Sequence, residues 1–216
     1  MVLCDIGNTT FHFKTKNRDF KIGVNDSLKS LFSKDKKIYF ISVNVKATKK
    51  LLKQYPNAIN IDNIINFKTL YQGMGIDRKI VCSSIKNGII IDIGSAITVD
   101  IMKNKKHKGG FIFPGIEAYK RIYPNISKKL SFQFSNNINL DKIPLNTNDA
   151  INYAVINAII APIQNIYKQY GLPLYFTGGD SKVLLKYFKY KDVKYKKNLI
   201  FKSMLKIINS KKENRC

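Results

Sequence analysis

Asp5-Ile6-Gly7-Asn8-Thr9-Thr10 and Asp92-Ile93-Gly94-Ser95-Ala96-Ile97-Thr98 repeat one device 87 positions apart, and this repeat constrains the fold more than any other feature of the chain. Each copy follows a short apolar run, Met1 to Cys4 or Ile89 to Ile91, and each leads into residues of β character. The pattern predicts a buried strand, a hairpin turn and a second strand, with a carboxylate, a glycine and a hydroxyl at the bend. Glycine lets the backbone approach a ligand closely, and successive N–H groups at such a turn form an anion nest. The hydroxyl adds a donor, and the carboxylate can hold a cation or its bound water. One Asp-x-Gly turn is a common hairpin feature. Two copies opening similar strand patterns imply a duplicated, polyphosphate-binding fold.

The rest of the chain fits an α/β protein of two related halves. Strands are expected at 1–5, 9–15, 18–24, 37–43 and 58–61, with helices from Asp26 to Phe32, Lys46 to Tyr55 and Arg78 to Ile85. The pattern restarts with strands at 88–92, 96–102 and 109–113 and a helix from Ile116 to Tyr123. Ile151, Ala154, Val155, Ala158, Ile159, Ile163 and Ile166 mark a helix over 148–170, which Pro162 should kink or split. A strand at 173–176, a helix over 181–188 and a last helix over 198–209 complete the reading. The polar residues 210–216 are expected to fray. Domains are placed at 1–86 and 87–216.

Composition excludes several classes. With 44% hydrophobic and 24% charged residues, the chain can build a core. It has no apolar run long enough to span a bilayer and no signal-peptide pattern, so a cytoplasmic protein without membrane contact is expected. Cys4, Cys82 and Cys216 are too few and too scattered for a disulfide framework or a zinc site, and Cys4 reads as a small core residue. The net charge of +24 favours anions in general. Its lysines are spread along the chain, with short clusters at 34–37, 103–108 and 194–197, so a solvated surface is favoured over a functional nucleic-acid interface.

Five motifs in order resemble the type III pantothenate kinases, of the actin-like and sugar-kinase-like ATPase superfamily. Asp5 to Thr9 is similar to that family's first phosphate motif, and Gly75-Ile76-Asp77-Arg78 to its pantothenate-binding Gly-x-Asp-Arg motif. Asp92 to Asp100 is similar to the second phosphate motif, with Ser95 where the family usually carries threonine. Gly109-Gly110-Phe111-Ile112-Phe113-Pro114-Gly115 matches the stretch that follows, and Thr177-Gly178-Gly179 resembles the adenosine-side turn. The resemblance covers nearly the full length. It implies a duplicated actin-like, ribonuclease H-like fold whose two halves surround a nucleotide cleft. It also implies ATP-dependent phosphorylation of pantothenate to 4′-phosphopantothenate, the first step of coenzyme A biosynthesis.

Residue roles follow from the same resemblance. Asp77 is the expected proton acceptor, and a positioned base contributes about 10²–10⁴-fold; on the sequence alone it reads equally well as a helix N-cap. Arg78 offers a fixed fork of donors for a carboxylate or phosphate, or is a surface helical residue. Asp5, Ile6, Gly7, Asn8, Thr9, Thr10, Ser95, Gly178 and Gly179 are the expected ATP contacts. Tyr71, Gly75, Ile76, Asp77, Arg78 and Thr147 are the expected pantothenate contacts, Thr147 being equally an N-cap. Asp5 would hold Mg²⁺, directly or through water, and Asp92 a monovalent cation, K⁺ or NH₄⁺. Relatives of this kind are homodimers, and the 148–170 helix is a candidate for the interface. His12 and His107 are expected to be solvated or to pack. Two alternatives remain: another small-molecule kinase of the superfamily, and a non-catalytic, nucleic-acid-associated regulator.

Overall fold

The computed structural model describes residues 1–213. In chain order the elements are β1 (Val2–Ile6), β2 (Thr10–Lys14), β3 (Asp19–Gly23), β4 (Ile38–Ser42), α1 (Val45–Gln54), β5 (Ile59–Asn60) and α2 (Ile76–Ser83). There follow β6 (Gly88–Ile93), β7 (Ala96–Lys103), β8 (Lys106–Pro114), α3 (Ile116–Ile126) and α4 (Thr147–Tyr170). The series closes with β9 (Leu174–Thr177), α5 (Ser181–Leu185), β10 (Val193–Tyr195) and α6 (Leu199–Glu213). Two compact units result: Met1–Ser84 together with the segment from Asn198, and Ile85–Lys197.

The two sheets share one topology. The first has the order β3-β2-β1-β4-β5, and the second, read from the same side, β8-β7-β6-β9-β10. In each, the opening strand pairs antiparallel with the strand after it (β1 with β2, β6 with β7) and parallel with a later one (β1 with β4, β6 with β9). Asp5 and Asp92 occupy the same place, one residue before the end of the opening strand. The duplication read from the sequence is therefore a duplication of strand order. Its small fifth strand β10 was missed, because three residues carry too little periodicity to register.

Both faces of the first sheet are covered, and this decides where the last helix goes. Val2, Cys4, Ile6, Ile38 and Phe40 pack with Ala47 and Leu51 of α1. Leu3, Tyr39 and Ile41, which alternation sends to the opposite face, pack with Ile76 and Ile80 of α2 and Phe201, Met204 and Ile208 of α6. Runs such as Ile38-Tyr39-Phe40-Ile41 are apolar on both faces because both are buried. Without α6, much of that second face would meet water. A boundary at 86/87 assigns α6 to the second half; the packing puts it in the first unit. In the second unit, Ile89, Ile91, Ile97 and Val99 pack with Val155, Ile156, Ile159 and Ile163 of α4.

Several elements differ from expectation for local reasons. Residues 26–32 form turns instead of a helix. Asp26 Oδ2 accepts the Gly23 N–H at 2.8 Å, Ser30 lies at φ +58°, and the Tyr55 hydroxyl donates to Leu28 O and accepts from Phe32 N. α4 is one helix of 24 residues with Pro162 inside it. Its N-cap is Asn146, which accepts from Asp149 N at 2.9 Å, so Thr147 is the first helical residue and does not cap. Gly171, at φ +59°, ends it in the left-handed conformation that glycine favours. α5 stops at Leu185, and α6 runs to Glu213, past the expected end at 209. The remainder of the expected frayed tail, with Cys216, lies outside the described residues. Cys4 is buried in the core, and burial pushes its thiol well up.

An ionic cluster fastens the start of α6 to the first hairpin. Asp19 accepts from Lys14 Nζ at 2.8 Å and Asn198 Nδ2 at 2.6 Å, and lies 2.7 Å from His12 Nε2. The His12 ring meets Phe201 edge-on, and its desolvation lowers its pKa. Burial pushes the Asp19 carboxyl up, but the hydrogen bonds from Lys14, His12 and Asn198 outweigh this and lower it to about 2 from an ordinary 3.8. Native Asp19 therefore holds its proton less tightly than the unfolded chain does. Its contribution is fully present above pH 3.8 and is lost as pH falls through about 2. The stability difference between the protein and Asp19→Asn, measured by urea denaturation, is expected to shrink steadily as pH falls below about 4.

Candidate active site

In the first unit, the site elements gather at the end of β1 and β4. Beyond Ile6 the chain turns through Gly7, Asn8 and Thr9, and the carbonyls of this turn point back into the protein. Thr10 O accepts from Gly7 N, Thr9 O from Val24 N, Ile6 O from Val43 N and Asn8 O from Asn44 Nδ2. The N–H groups of Asn8 and Thr9 have no acceptor among the described residues, so the turn presents donors, as an anion site requires. A Cβ on Gly7 would meet only Thr10 O, at 3.7 Å, so the protein itself leaves room there. Asp5 is half-buried beside this turn, a hard oxygen donor of the type Mg²⁺ takes.

Asn44 was not foreseen. Its Oδ1 caps α1 by accepting from Ala47 N at 3.0 Å while its Nδ2 donates to Asn8 O at 3.2 Å. One side chain thus closes a helix and holds the turn. The signal was present in the sequence, an Asn immediately before a helical pattern, but its second bond joins residues 36 positions apart.

The Gly75–Arg78 segment opens α2 next to the same strand end. Gly75 is the N-cap, with no side-chain bond, and Asp77 is the second helical residue. The N-cap reading of Asp77 is therefore replaced: its Oδ1 accepts from Arg78 N at 2.8 Å. An acid in the first turn also suits the helix dipole. Arg78 is 6% exposed, not a surface residue, and its guanidinium lies 4.5 Å from the Tyr71 ring centroid. Two of the expected pantothenate contacts are thereby brought together, the ring holding the fork in place.

Gly75 has an ordinary backbone, φ −60° and ψ 149°, which any residue adopts. The need for glycine comes from Asp77: a Cβ at 75 would lie 2.5 Å from Asp77 Oδ1 and 3.8 Å from Val43 Cγ1. Since the carboxylate can swing away, Gly75→Ala should fold normally while displacing Asp77. Its kcat is expected to fall at least about tenfold, with a melting temperature close to that of the parent. Equal losses of activity and stability would contradict this assignment.

In the second unit, three segments converge on the turn after β6. Gly94 N donates to Ala96 O and Ser95 O accepts from Gly115 N at 3.1 Å, while Ile93 O accepts from Asp180 N at 3.2 Å. Gly115, at the junction of β8 and α3, is pressed against this turn: a Cβ there would lie 2.3 Å from Gly94 O and 2.5 Å from Ser95 O. Gly178 is pressed from the other side, at φ +93°, where a Cβ would lie 2.3 Å from Ile93 O and 2.4 Å from Asp92 Oδ1. Asp92, Ser95, Gly178 and Gly179 therefore form one assembly. Its oxygens, from the Asp92 carboxylate and the Ile93 backbone, are of the type that hard cations take. Asp180 holds the N-cap position of α5 without a side-chain bond, and Ser181 Oγ donates instead to Gly178 O at 2.8 Å. Thr147, exposed at the first turn of α4, is not among these segments. His107, expected to be solvated or to pack, is enclosed, with Nε2 2.9 Å from Asp100 Oδ1.

Comparison with known proteins decides the family. The model of the type III pantothenate kinase family matches residues 1–169, well over half of the chain. The chain belongs to the type III pantothenate kinase family. A type III pantothenate kinase from Helicobacter hepaticus is 42% identical over 210 residues, covering 96% of this chain and 98% of that protein. A Campylobacter jejuni protein whose crystal structure is described as that of a conserved candidate Baf-family transcriptional activator is 40% identical, with a TM-score of 0.85 and coverage of 99% and 100%. A Sinorhizobium meliloti protein described as a candidate 2-dehydro-3-deoxygalactonokinase shares the fold at a TM-score of 0.63 and 7% identity, over 97% of this chain and 98% of that one. With the repeated strand order, these findings make the fold a duplicated actin-like ATPase fold.

Proposed function

We propose that the protein transfers the γ-phosphoryl group of ATP to the primary hydroxyl of pantothenate, giving 4′-phosphopantothenate. Family membership over nearly the whole chain supports the reaction, and the placement of Asp77 at the strand end that carries the first phosphate turn supports its role. Phosphoryl transfer needs positioning and charge neutralisation more than covalent chemistry. The Asn8 and Thr9 N–H groups bind phosphate oxygens, and the Ser95 hydroxyl and the Gly178–Gly179 backbone are ATP contacts. Arg78, steadied by Tyr71, binds the pantothenate carboxylate with its planar fork. Asp77 accepts the proton of the attacking hydroxyl. Asp5 holds Mg²⁺, which when bound neutralises charge on the phosphates. Asp92 holds K⁺ or NH₄⁺, and Thr147 contacts pantothenate.

The proposal extends to a cytoplasmic homodimer. Ala150, Ala154, Ala158 and Ala161 leave one face of α4 exposed, lined by side chains small enough for a second helix to approach closely. The high positive charge is read as a solvated surface with no functional nucleic-acid partner, since lysines occur throughout both units.

The test is phosphate transfer from Mg-ATP to pantothenate in K⁺ and in Na⁺ at equal ionic strength. Turnover is expected with pantothenate as acceptor and to be at least about tenfold faster in K⁺. Equal rates in both salts remove the cation from Asp92. ATP binding without transfer to pantothenate rejects the acceptor and favours the superfamily-kinase or regulator readings.

A further inference from the structure

The first unit contains a concave site far from the phosphate turn. A cavity of about 470 Å³ opens between β4, β5 and the last turns of α6. Its apolar surface comes from Tyr39, Ile59, Ile64 and Ile208. It lies at the beginning of β1 and β4, where Val2 N donates to Lys37 O, whereas the phosphate turn follows the Ile6–Ser42 pair at their end. Tyr39 stands three residues before Ser42, roughly 10 Å along the strand at about 3.3 Å per residue. None of the residues expected to bind ATP or pantothenate lines the cavity.

The polar groups around it share one character. The Tyr39 ring is 6% exposed, yet its hydroxyl has no protein partner among the described residues. Since no buried side-chain oxygen or nitrogen among them lacks a partner, this hydroxyl opens on the cavity. Lys37 stands over the ring, its Nζ 5.6 Å from the centroid, and Lys211 adds a second ammonium group from α6. Asn60 spends its carbonyl oxygen on Asp62 N, at 3.0 Å, which leaves its amide as a donor. Asp62 is exposed and not part of the lining. With Asn63 at its mouth, the cavity therefore combines an apolar wall with a hydroxyl, two ammonium groups and two amides, all able to donate, which is the arrangement of a small-molecule site with a few polar anchors.

We propose that this cavity binds a small amphiphilic anion, an apolar or aromatic body carrying a carboxylate, sulfonate or phosphate group. The body lies against Ile59, Ile64 and Ile208, and the anionic group takes the Tyr39 hydroxyl and the two lysines.

The test uses 1-anilinonaphthalene-8-sulfonate, an aromatic sulfonate whose fluorescence reports its transfer out of water, titrated with Mg-ATP and pantothenate present at saturation. One saturable site is expected under these conditions. Tyr39→Phe, which removes only the hydroxyl, should weaken binding at least about threefold. Lys37→Glu with Lys211→Glu should weaken it at least about tenfold, and Asn63→Trp, which puts bulk at the mouth from an exposed position, should abolish it. Lys128→Glu with Lys129→Glu makes the same charge change in the second unit and should leave affinity unchanged. The proposal is overturned by an absence of saturable binding with Mg-ATP and pantothenate at saturation. Equal weakening by the two charge reversals, or unchanged affinity in both Tyr39→Phe and Asn63→Trp, also overturns it.

Discussion

Asp77→Asn is expected to lower kcat by about 10²–10⁴-fold, the usual contribution of a positioned general base, without measurable loss of stability. The stability half of this expectation comes from the helix geometry. Asp77 is not the residue that closes α2; Gly75 holds that position. Asparagine keeps the side-chain oxygen that accepts from Arg78 N, so the local bond at 2.8 Å survives while the proton acceptor is lost. KM for pantothenate should change little, because the Arg78 fork and the Tyr71 ring remain in place. Steady-state kinetics with a thermal melt checks both halves. Full activity in Asp77→Asn reduces Asp77 to a helix-dipole residue, and a collapse of folding would mean that its structural role had been underestimated.

Gly178→Ala should have the largest effect on stability. The added Cβ has no space: its neighbours at 2.3, 2.4 and 2.6 Å are Ile93 O, Asp92 Oδ1 and Ile93 N, two of them backbone atoms of a buried strand. The residue also lies at φ +93°, which L side chains rarely adopt. Overpacking costs about 1–3 kcal/mol and a strained backbone about 1–3 kcal/mol, together roughly 2–6 kcal/mol. A melting temperature lower by roughly 5–20 °C is expected, with weaker ATP binding because Asp92 is displaced with the turn. Gly7→Ala makes the contrast. Its Cβ would meet only Thr10 O at 3.7 Å, so the fold should tolerate it and any loss should appear in nucleotide affinity alone. Similar melting temperatures for the two variants would show that the turn around Gly178 yields more readily than its contacts imply.

The two glycines also show what can be read from a linear string. Both invite the same reading, a backbone kept bare for a ligand. At Gly7 nothing in the protein competes with that reading. At Gly178 and Gly115 the protein's own backbone occupies the space, and a substitution there would strike residues about 85 or 20 positions earlier in the chain. Gly75 is a third case, bare so that the Asp77 carboxylate can lie over it. Sequence marks the glycine but not the atom it makes room for.

Elsewhere the division follows the range of the interactions. The alternation and the repeated Asp-Ile-Gly turn determined by themselves that the chain builds two like strand–turn–strand units, because hairpin register and face alternation are local properties. The order of the five motifs placed the chain in its family. Local signals also marked most helices, and failed where a distant side chain intervened. Tyr55 holds residues 28–32 in turns by bonds spanning 27 and 23 positions. Asn146 takes the cap next to Thr147, where only geometry separates two adjacent capping residues. The tertiary structure alone decided that α6 returns to the first sheet, because Leu3, Tyr39 and Ile41 leave a face that α2 and α6 cover together. It alone seated Arg78 against Tyr71, tied Asn44 to the phosphate turn and pressed Gly115 and Gly178 onto the second one. Burial and close approach join residues that the chain itself keeps far apart, and no local pattern records them.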